Sequence, residues 1–173
     1  MAKNQVLEEG ALAAPTRKII NDNLSDVSRC STQFDAVTGT TGTTLTNVVG
    51  LLTDTLEPGR YKFKLMLSCT ATANTGIKAA FKWGTASMIT SALYVATAKT
   101  ASAVIVTKST TATDQTAIMD NASDVVIAAT IEGVFVVALA GTLQVQAAQH
   151  TAHADTTSVL VNSTLEIEKI SAT

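Results

Sequence analysis

The feature that most constrains the fold is an unbroken two-residue alternation, GRYKFKLML, at residues 59–67. Four apolar residues fall on one face and three cations on the other: Tyr61, Phe63, Leu65 and Leu67 against Arg60, Lys62 and Lys64. A period of two is the side-chain repeat of a β-strand. Pro58 and Gly59 form a turn pair, which predicts where this strand begins. The chain therefore contains a strand with one face in a core. What the three cations on its other face interact with has to be explained.

Similar signals recur from residue 27 to the end of the chain. Short apolar runs bounded by small polar residues predict strands in several segments: SRCSTQFDAV, IKAAFKWG, SALYVATA, SAVIVTKS, DVVIAATIEGVFVVALAG, GTLQVQAAQ and SVLVNSTLEIEKI. The segment TTATDQTAIMDNAS predicts a loop, and no segment shows a convincing amphipathic helix. We therefore expect one all-β domain over residues 26–173, a sandwich or barrel with room for a sizeable core.

Residues 1–25 differ from this body because Gly10 and Pro15 interrupt them and no periodicity is sustained. We predict that they form an arm that docks on a partner through a set of separated residues: Leu7, Leu12, Arg17, Ile19 and Ile20. A frayed terminus is the alternative. Acidic residues interrupt the apolar part of the arm, which therefore lacks a signal-peptide core, and no run approaches the ~20 apolar residues needed to cross a bilayer. We expect assembly in a cytoplasm, with no membrane partner.

The charge composition is unusual for a soluble domain. Charged residues make up 15% of the chain, against about 25% in a typical domain. The net charge is −2, so nothing favours nucleic acid as a partner. Threonine and alanine take the place of charged residues. Such a surface is typical of a protein covered by neighbours in an assembly, although threonine is also tolerated on any exposed β face.

The titratable residues predict no active site. His150 and His153, with Asp155 nearby, have a spacing that could hold a metal, but residues three apart face opposite ways on a strand. The pair is therefore either a loop metal site or, as we expect, two ordinary loop histidines. Cys30 and Cys69 are too far apart in sequence for a metal motif and fit two free thiols.

Other chemical motifs are also missing. The glycine-rich loop GTTGTT at residues 39–44 lacks the Lys-Ser/Thr pair of a phosphate loop. Trp83 could stack on a sugar, but alternation with Phe81 favours a place in the core. No paired carboxylates lie in an apolar setting. We therefore predict no catalytic residues, no metal and no cofactor, so the chain is not expected to be an enzyme.

The segment LEPGRYKF at residues 56–63 resembles the L-x-P-G-x-Y-x-F strand of TNF/C1q-like jelly rolls, which lies mid-sheet beside the closing strand. The stretch at residues 141–170 looks like the closing pair, and it also resembles a C-terminal hairpin common in virion proteins of tailed phages. The whole chain, a short arm before one domain, resembles the head decoration (cement) proteins of tailed bacteriophages over about Ser28 to Ile170.

That resemblance implies an antiparallel jelly-roll sandwich and a homotrimer seated on the capsid exterior, in contact with the major capsid protein. The scarcity of aromatic residues and the lack of a collagen stalk separate the chain from secreted C1q-like domains. The alternative function is a tail-fibre or tail-tip module that binds a host-surface receptor. Its candidate ligand cluster lies in the segment at residues 110–124, at Asp114, Asp120 and Asp124.

The closing strand STLEIEKI suggests a role for the row of cations, because it carries acidic residues. Its Glu166 and Glu168 share one face, and the jelly-roll resemblance places this strand beside the first. We predict a cross-strand charge ladder in which Lys62 and Lys64 lie across from Glu166 and Glu168, with Arg60 at the strand's edge. A one-residue slip would bury lysines, so the pattern specifies the register. The alternative is that the cations meet an acidic patch on a neighbouring subunit or on the capsid.

A trimer seam is predicted in the run VVIAATIEGVFVVALAG, which is apolar on both faces over much of its length. A strand of a two-layer sandwich should have one polar face, so burial on both faces indicates a subunit interface. The candidates are four consecutive residues: Val134, Phe135, Val136 and Val137. Shielding by the arm or by loops is the alternative.

Overall fold

The computed structural model describes residues 29–33, 37–85, 87–100, 104–109, 115–121 and 126–171. Its strands are β1 (Arg29–Gln33), β2 (Thr38–Thr40), β3 (Thr46–Leu52), β4 (Gly59–Thr70), β5 (Ile77–Trp83), β6 (Ile89–Thr100), β7 (Val104–Ser109), β8 (Gln115–Asn121), β9 (Val126–Val137), β10 (Leu143–Ala148), β11 (Thr157–Val159) and β12 (Thr164–Ser171). Within these residues there is no helix, and so none that is long and apolar enough to span a membrane.

The strands form two sheets. The large sheet has the order β1-β12-β4-β9-β6-β7, with β2 and β11 alongside, and the small sheet has the order β3-β10-β5-β8. Four antiparallel pairs are nested in sequence, the outermost being β1 with β12, then β3 with β10, β4 with β9, and β5 with β8. Eight strands paired in this way are a jelly roll. The all-β antiparallel jelly-roll prediction is therefore confirmed.

A hairpin of two further strands is inserted in this jelly roll between β5 and β8. Its first strand, β6, pairs with β9 along most of its length, and β7 then forms the edge of the sheet. Without the insertion β9 would be an edge strand, with unpaired backbone groups open to solvent. The hairpin therefore widens the large sheet by two strands and gives β9 neighbours on both sides.

Aromatic side chains fill the space between the sheets. From the large sheet, Phe63 packs edge-on against Phe81 of the small sheet with ring centroids 5.1 Å apart, and lies 5.6 Å from Phe135 and 6.5 Å from Tyr94. Trp83 packs against Phe81 at 5.7 Å and Phe135 at 5.2 Å, and is 4% exposed. The prediction that Trp83 lies in the core with Phe81 is confirmed, and this ring is closed to a sugar.

Two local predictions are wrong. The segment predicted as a loop contains β8, which pairs with β5 at the edge of the small sheet. Its sequence, QTAIMDN, has too few apolar residues for alternation to be visible, since small and polar residues suffice on an edge strand. The prediction of a C-terminal hairpin over residues 141–170 is also wrong. In the structure β10 pairs with β3 and β5 in the small sheet, whereas β12 pairs with β1 and β4 in the large one. The loop at residues 149–156 carries the chain out of the small sheet instead.

Candidate interaction surface

The outward face of the large sheet combines charged and apolar side chains, and we call it the mixed face. It is formed by the residues of β12, β4, β9 and β6 that alternate with buried ones. Two rows cross it: Glu168, Lys62, Val134 and Leu93 in one, and Glu166, Lys64, Glu132 and Val95 in the next. In these rows the charged residues lie on β12 and β4, with Glu132 the one charged residue on β9, and aliphatic residues lie on β9 and β6.

The structure brings together four of the five residues of the predicted ladder. Glu168 lies opposite Lys62 and Glu166 lies opposite Lys64. Lys64 also faces Glu132 on its other side. None of these side chains reaches ion-pair distance of another in the part of the chain described. The ladder is thus a matter of adjacent opposite charges, each worth a few tenths of a kcal/mol up to about 1.

Arg60 stands apart from the ladder. Its register partners are Ser171 on β12 and Val136 on β9, so neither neighbouring strand places a carboxylate opposite it. A bulge between Lys169 and Ser171 shifts the end of β12 by one residue, and the residue it passes over, Ile170, carries no charge either. Arg60 is exposed at the end of the row, where it is open to another molecule.

We expect Lys62→Glu to lower thermal stability and Glu168→Lys to restore only part of the loss, because the double variant recreates opposite charges across the β4–β12 pair but places a second cation opposite Arg29 on β1. The single change places two carboxylates face to face, which costs up to about 1 kcal/mol. The measurement is thermal unfolding by circular dichroism at low and high salt. Lys82→Glu is the matched control, since Lys82 is exposed on β5 opposite two glutamines, Gln144 and Gln115. If the double variant were no more stable than Lys62→Glu alone, the prediction of a charge ladder would be wrong.

The aliphatic half of the mixed face forms the apolar patch: Met66, Leu93, Val95, Val134 and Val136. Leu93 is 48% exposed, Val95 41% and Met66 39%. Val134 and Val136 are half-buried beside them. The four residues of β6 and β9 lie side by side, whereas Met66 lies further along β4, between Thr164 and Thr130. Adjacent exposed aliphatic side chains are typical of a surface that contacts another protein.

The predicted seam needs a correction at two of its four residues. Phe135 is 1% exposed and Val137 is fully buried, both inside the core of their own domain. The strand alternates, so it can present only every second residue outward. Phe135 stacks on Tyr61 with centroids 5.5 Å apart, which leaves it no contact with another subunit. Val134 and Val136 remain as candidates.

Three members of the patch were missed. Met66 continues the face that carries Lys62 and Lys64, so the alternation of β4 already placed it outside. Leu93 and Val95 alternate with the buried residues Ala92 and Tyr94, so this part of β6 is apolar on both faces. The signal that marked β9 as a seam was therefore present in SALYVATA as well.

The remaining predicted residues give no second site. The arm residues Leu7, Leu12, Arg17, Ile19 and Ile20, and likewise Asp114 and Asp124, lie outside the described residues. Asp120 lies in β8 opposite Lys78. Cys69 is a buried free thiol whose pKa is raised by burial to about 12, so it stays protonated, and Cys30 lies in β1 opposite Ile167. His150 and His153 lie in a loop, and no group of three or more potential metal ligands occurs in the described part of the chain.

Comparison with known proteins adds little. No family model matches the sequence, and no curated protein matches it significantly. Among solved structures, the chain is similar to one described as the structure of Eiger TNF from S. frugiperda, with a TM-score of 0.39 and 9% sequence identity, over 85% of this chain and 94% of that one. The assignment of the jelly roll rests on the strand order of the chain itself.

Proposed function

We propose that this protein is a structural virion protein, a capsid decoration or cement protein of a tailed bacteriophage. It assembles in the host cytoplasm, binds the exterior of the shell as a homotrimer and stabilises the shell by bridging subunits of the major capsid protein. The observation that carries the proposal is the mixed face, where an exposed apolar patch lies beside self-compensating charges. The virion context rests on the resemblance of the sequence to decoration proteins.

The apolar patch supports self-association. Fully burying a valine, leucine or methionine side chain contributes on the order of 1.5–3 kcal/mol. The patch has five such residues, three of them at least 39% exposed in a single chain. The part of the face over β12, β4 and β9 carries Arg60, Lys62 and Lys64 against Glu132, Glu166 and Glu168, which is three charges of each sign. Intermixed charges of both signs suit a neighbour of the same kind better than a strongly acidic or basic partner.

The function is tested by mixing the purified chain with empty shells assembled from the major capsid protein encoded in the same genome. We expect the chain to sediment with the shells, in a saturable way and in multiples of three. The temperature at which the shells dissociate should also rise, because a bound protein stabilises the state that it binds. A chain that stays in the supernatant at micromolar concentrations would overturn the proposal.

The arm at residues 1–25 is proposed to dock on the shell. A chain that begins at Ser25 should stay folded and trimeric, because the jelly-roll strands begin at Arg29. It should bind shells at least tenfold more weakly, since it lacks the four aliphatic residues predicted to dock there: Leu7, Leu12, Ile19 and Ile20. Sedimentation with shells compares the two chains, and light scattering verifies that the shorter one keeps its mass. Equal binding by both chains would exclude the arm from docking.

A further inference from the structure

One end of the sandwich is a hydrogen-bonded unit of three loops: residues 41–45, 71–76 and 149–156. Gln149 N donates to Gly42 O at 3.0 Å, and Thr151 N donates to Thr75 O at 2.9 Å. The third loop, which connects β10 to β11, is thus tied by its backbone to both of the others. Its sequence, QHTAHADT, contains both histidines of the chain.

Gln149 holds this loop in shape from inside. Its side chain is fully buried, its Nε2 donates to the carbonyl oxygen of Asp155, and its Oε1 accepts from His153 N at 3.0 Å. The backbone of both residues is therefore fixed by a group that does not titrate. The Asp155 carboxylate in turn accepts from Thr72 Oγ1 at 3.0 Å, which links the loop to the β4–β5 turn.

Within this fixed frame, one nitrogen has two neighbours that require opposite roles. Asp155 N lies 3.1 Å from His153 Nδ1 and is a donor, so Nδ1 must be unprotonated to accept from it. Asp155 Oδ2 lies 3.2 Å from the same Nδ1 and is an acceptor, so Nδ1 must carry a proton to bond to it. A single nitrogen cannot make both bonds at once.

We propose that His153 is a proton-operated clasp. In the neutral ring the proton is on Nε2, and Nδ1 accepts the backbone N–H of Asp155. When Nδ1 takes up a proton from solution, it releases that N–H and donates to the Asp155 carboxylate, which then bonds to the imidazolium and to Thr72 together. The ring exchanges partners in place because Gln149 holds both backbones, and solvent supplies the proton because His153 is 42% exposed.

Within the described residues, few other titratable groups lie at this end of the sandwich. The titratable side chains of the three loops are His150, His153 and Asp155. The strand ends beside the loops contribute Lys78, which lies opposite Ala148 on β10 and opposite Asp120 on β8, and Cys69, which lies opposite Val159 on β11. Cys69 is buried and stays neutral. The clasp is therefore a property of His153 and Asp155, and it does not depend on the proposed function.

The test is an NMR titration of the labelled full chain from about pH 8.5 to about pH 5, the range in which a histidine side chain changes charge. We expect the His153 ring to be the Nε2–H tautomer at high pH. The amide resonance of residue 155 should move with the same midpoint as the ring, and H153Q should abolish that movement. The control H150Q, in the same loop, should leave it unchanged.

Asp155→Asn tests the acidic state separately. The variant keeps the backbone N–H that bonds to the neutral ring but loses the carboxylate that receives the proton. In acid its His153 Nδ1–H should exchange with solvent faster than in the wild type, because a neutral amide oxygen is a weaker acceptor for an imidazolium than a carboxylate is. An Nδ1–H tautomer at high pH, a residue-155 amide that does not follow the ring, or identical exchange of the Nδ1–H in D155N and the wild type would each overturn the clasp.

Discussion

Leu93→Asp and Val134→Asp should each convert the proposed trimer into a monomer. Wild-type protein at micromolar concentration should scatter light with a mass about three times that of the 17.9 kDa chain, and each variant with the mass of a single chain. Leu93 and Val134 are register partners on β6 and β9, at the centre of the apolar patch. A carboxylate there would be buried without a partner in every subunit, at a cost of several kcal/mol each, enough to weaken association more than a hundredfold.

The control is Val49→Asp. Val49 is 62% exposed on β3, in the small sheet and away from the mixed face, so this substitution adds the same charge without touching the patch. It should leave the mass unchanged. Circular dichroism should show native β structure in all three variants, since the three side chains point away from the core. A monomeric wild type, or trimeric Leu93→Asp and Val134→Asp, would exclude the patch as the seam.

Much of the centre of the large sheet can be predicted from sequence. The turn pair Pro58-Gly59 places the start of β4, and β4 begins at Gly59. The charge pattern of β4 and of the closing strand predicts their register, and the structure pairs Lys62 with Glu168 and Lys64 with Glu166. The register prediction succeeds because the strict alternation fixes which residues of each strand face the core. A slip of one residue would bury a lysine.

The inserted hairpin could not be placed in the same way. SALYVATA and SAVIVTKS are visible as strands, yet nothing local tells which sheet they join, since small apolar residues on both faces fit any neighbour. The seam prediction failed at Phe135 and Val137 for a related reason. An apolar run shows that both faces are covered, but only the position of β9 in the sheet tells which face meets the core and which meets another molecule.

Gly133→Ala should destabilise the fold by about 3 kcal/mol or more, which is large for one methyl group. Gly133 lies on the core side of β9 with Phe63 opposite it on β4 and Tyr94 opposite it on β6. A Cβ at this position would lie 2.2 Å from the carbonyl oxygen of Leu93 and 2.6 Å from Tyr94 Cα. Both atoms are backbone, so the clash cannot be relieved by turning a side chain, and β6 would have to move away from β9.

The absence of a side chain at Gly133 also lets two core rings meet, since those of Phe63 and Tyr94 approach to 6.5 Å across it. Gly42→Ala is the matched control, because a Cβ at Gly42 would meet nothing within 4 Å. Urea unfolding followed by tryptophan fluorescence measures both variants through Trp83, which packs on Phe135 two residues from Gly133. If Gly133→Ala were as stable as Gly42→Ala, the close approach of β6 and β9 at this point would not exist.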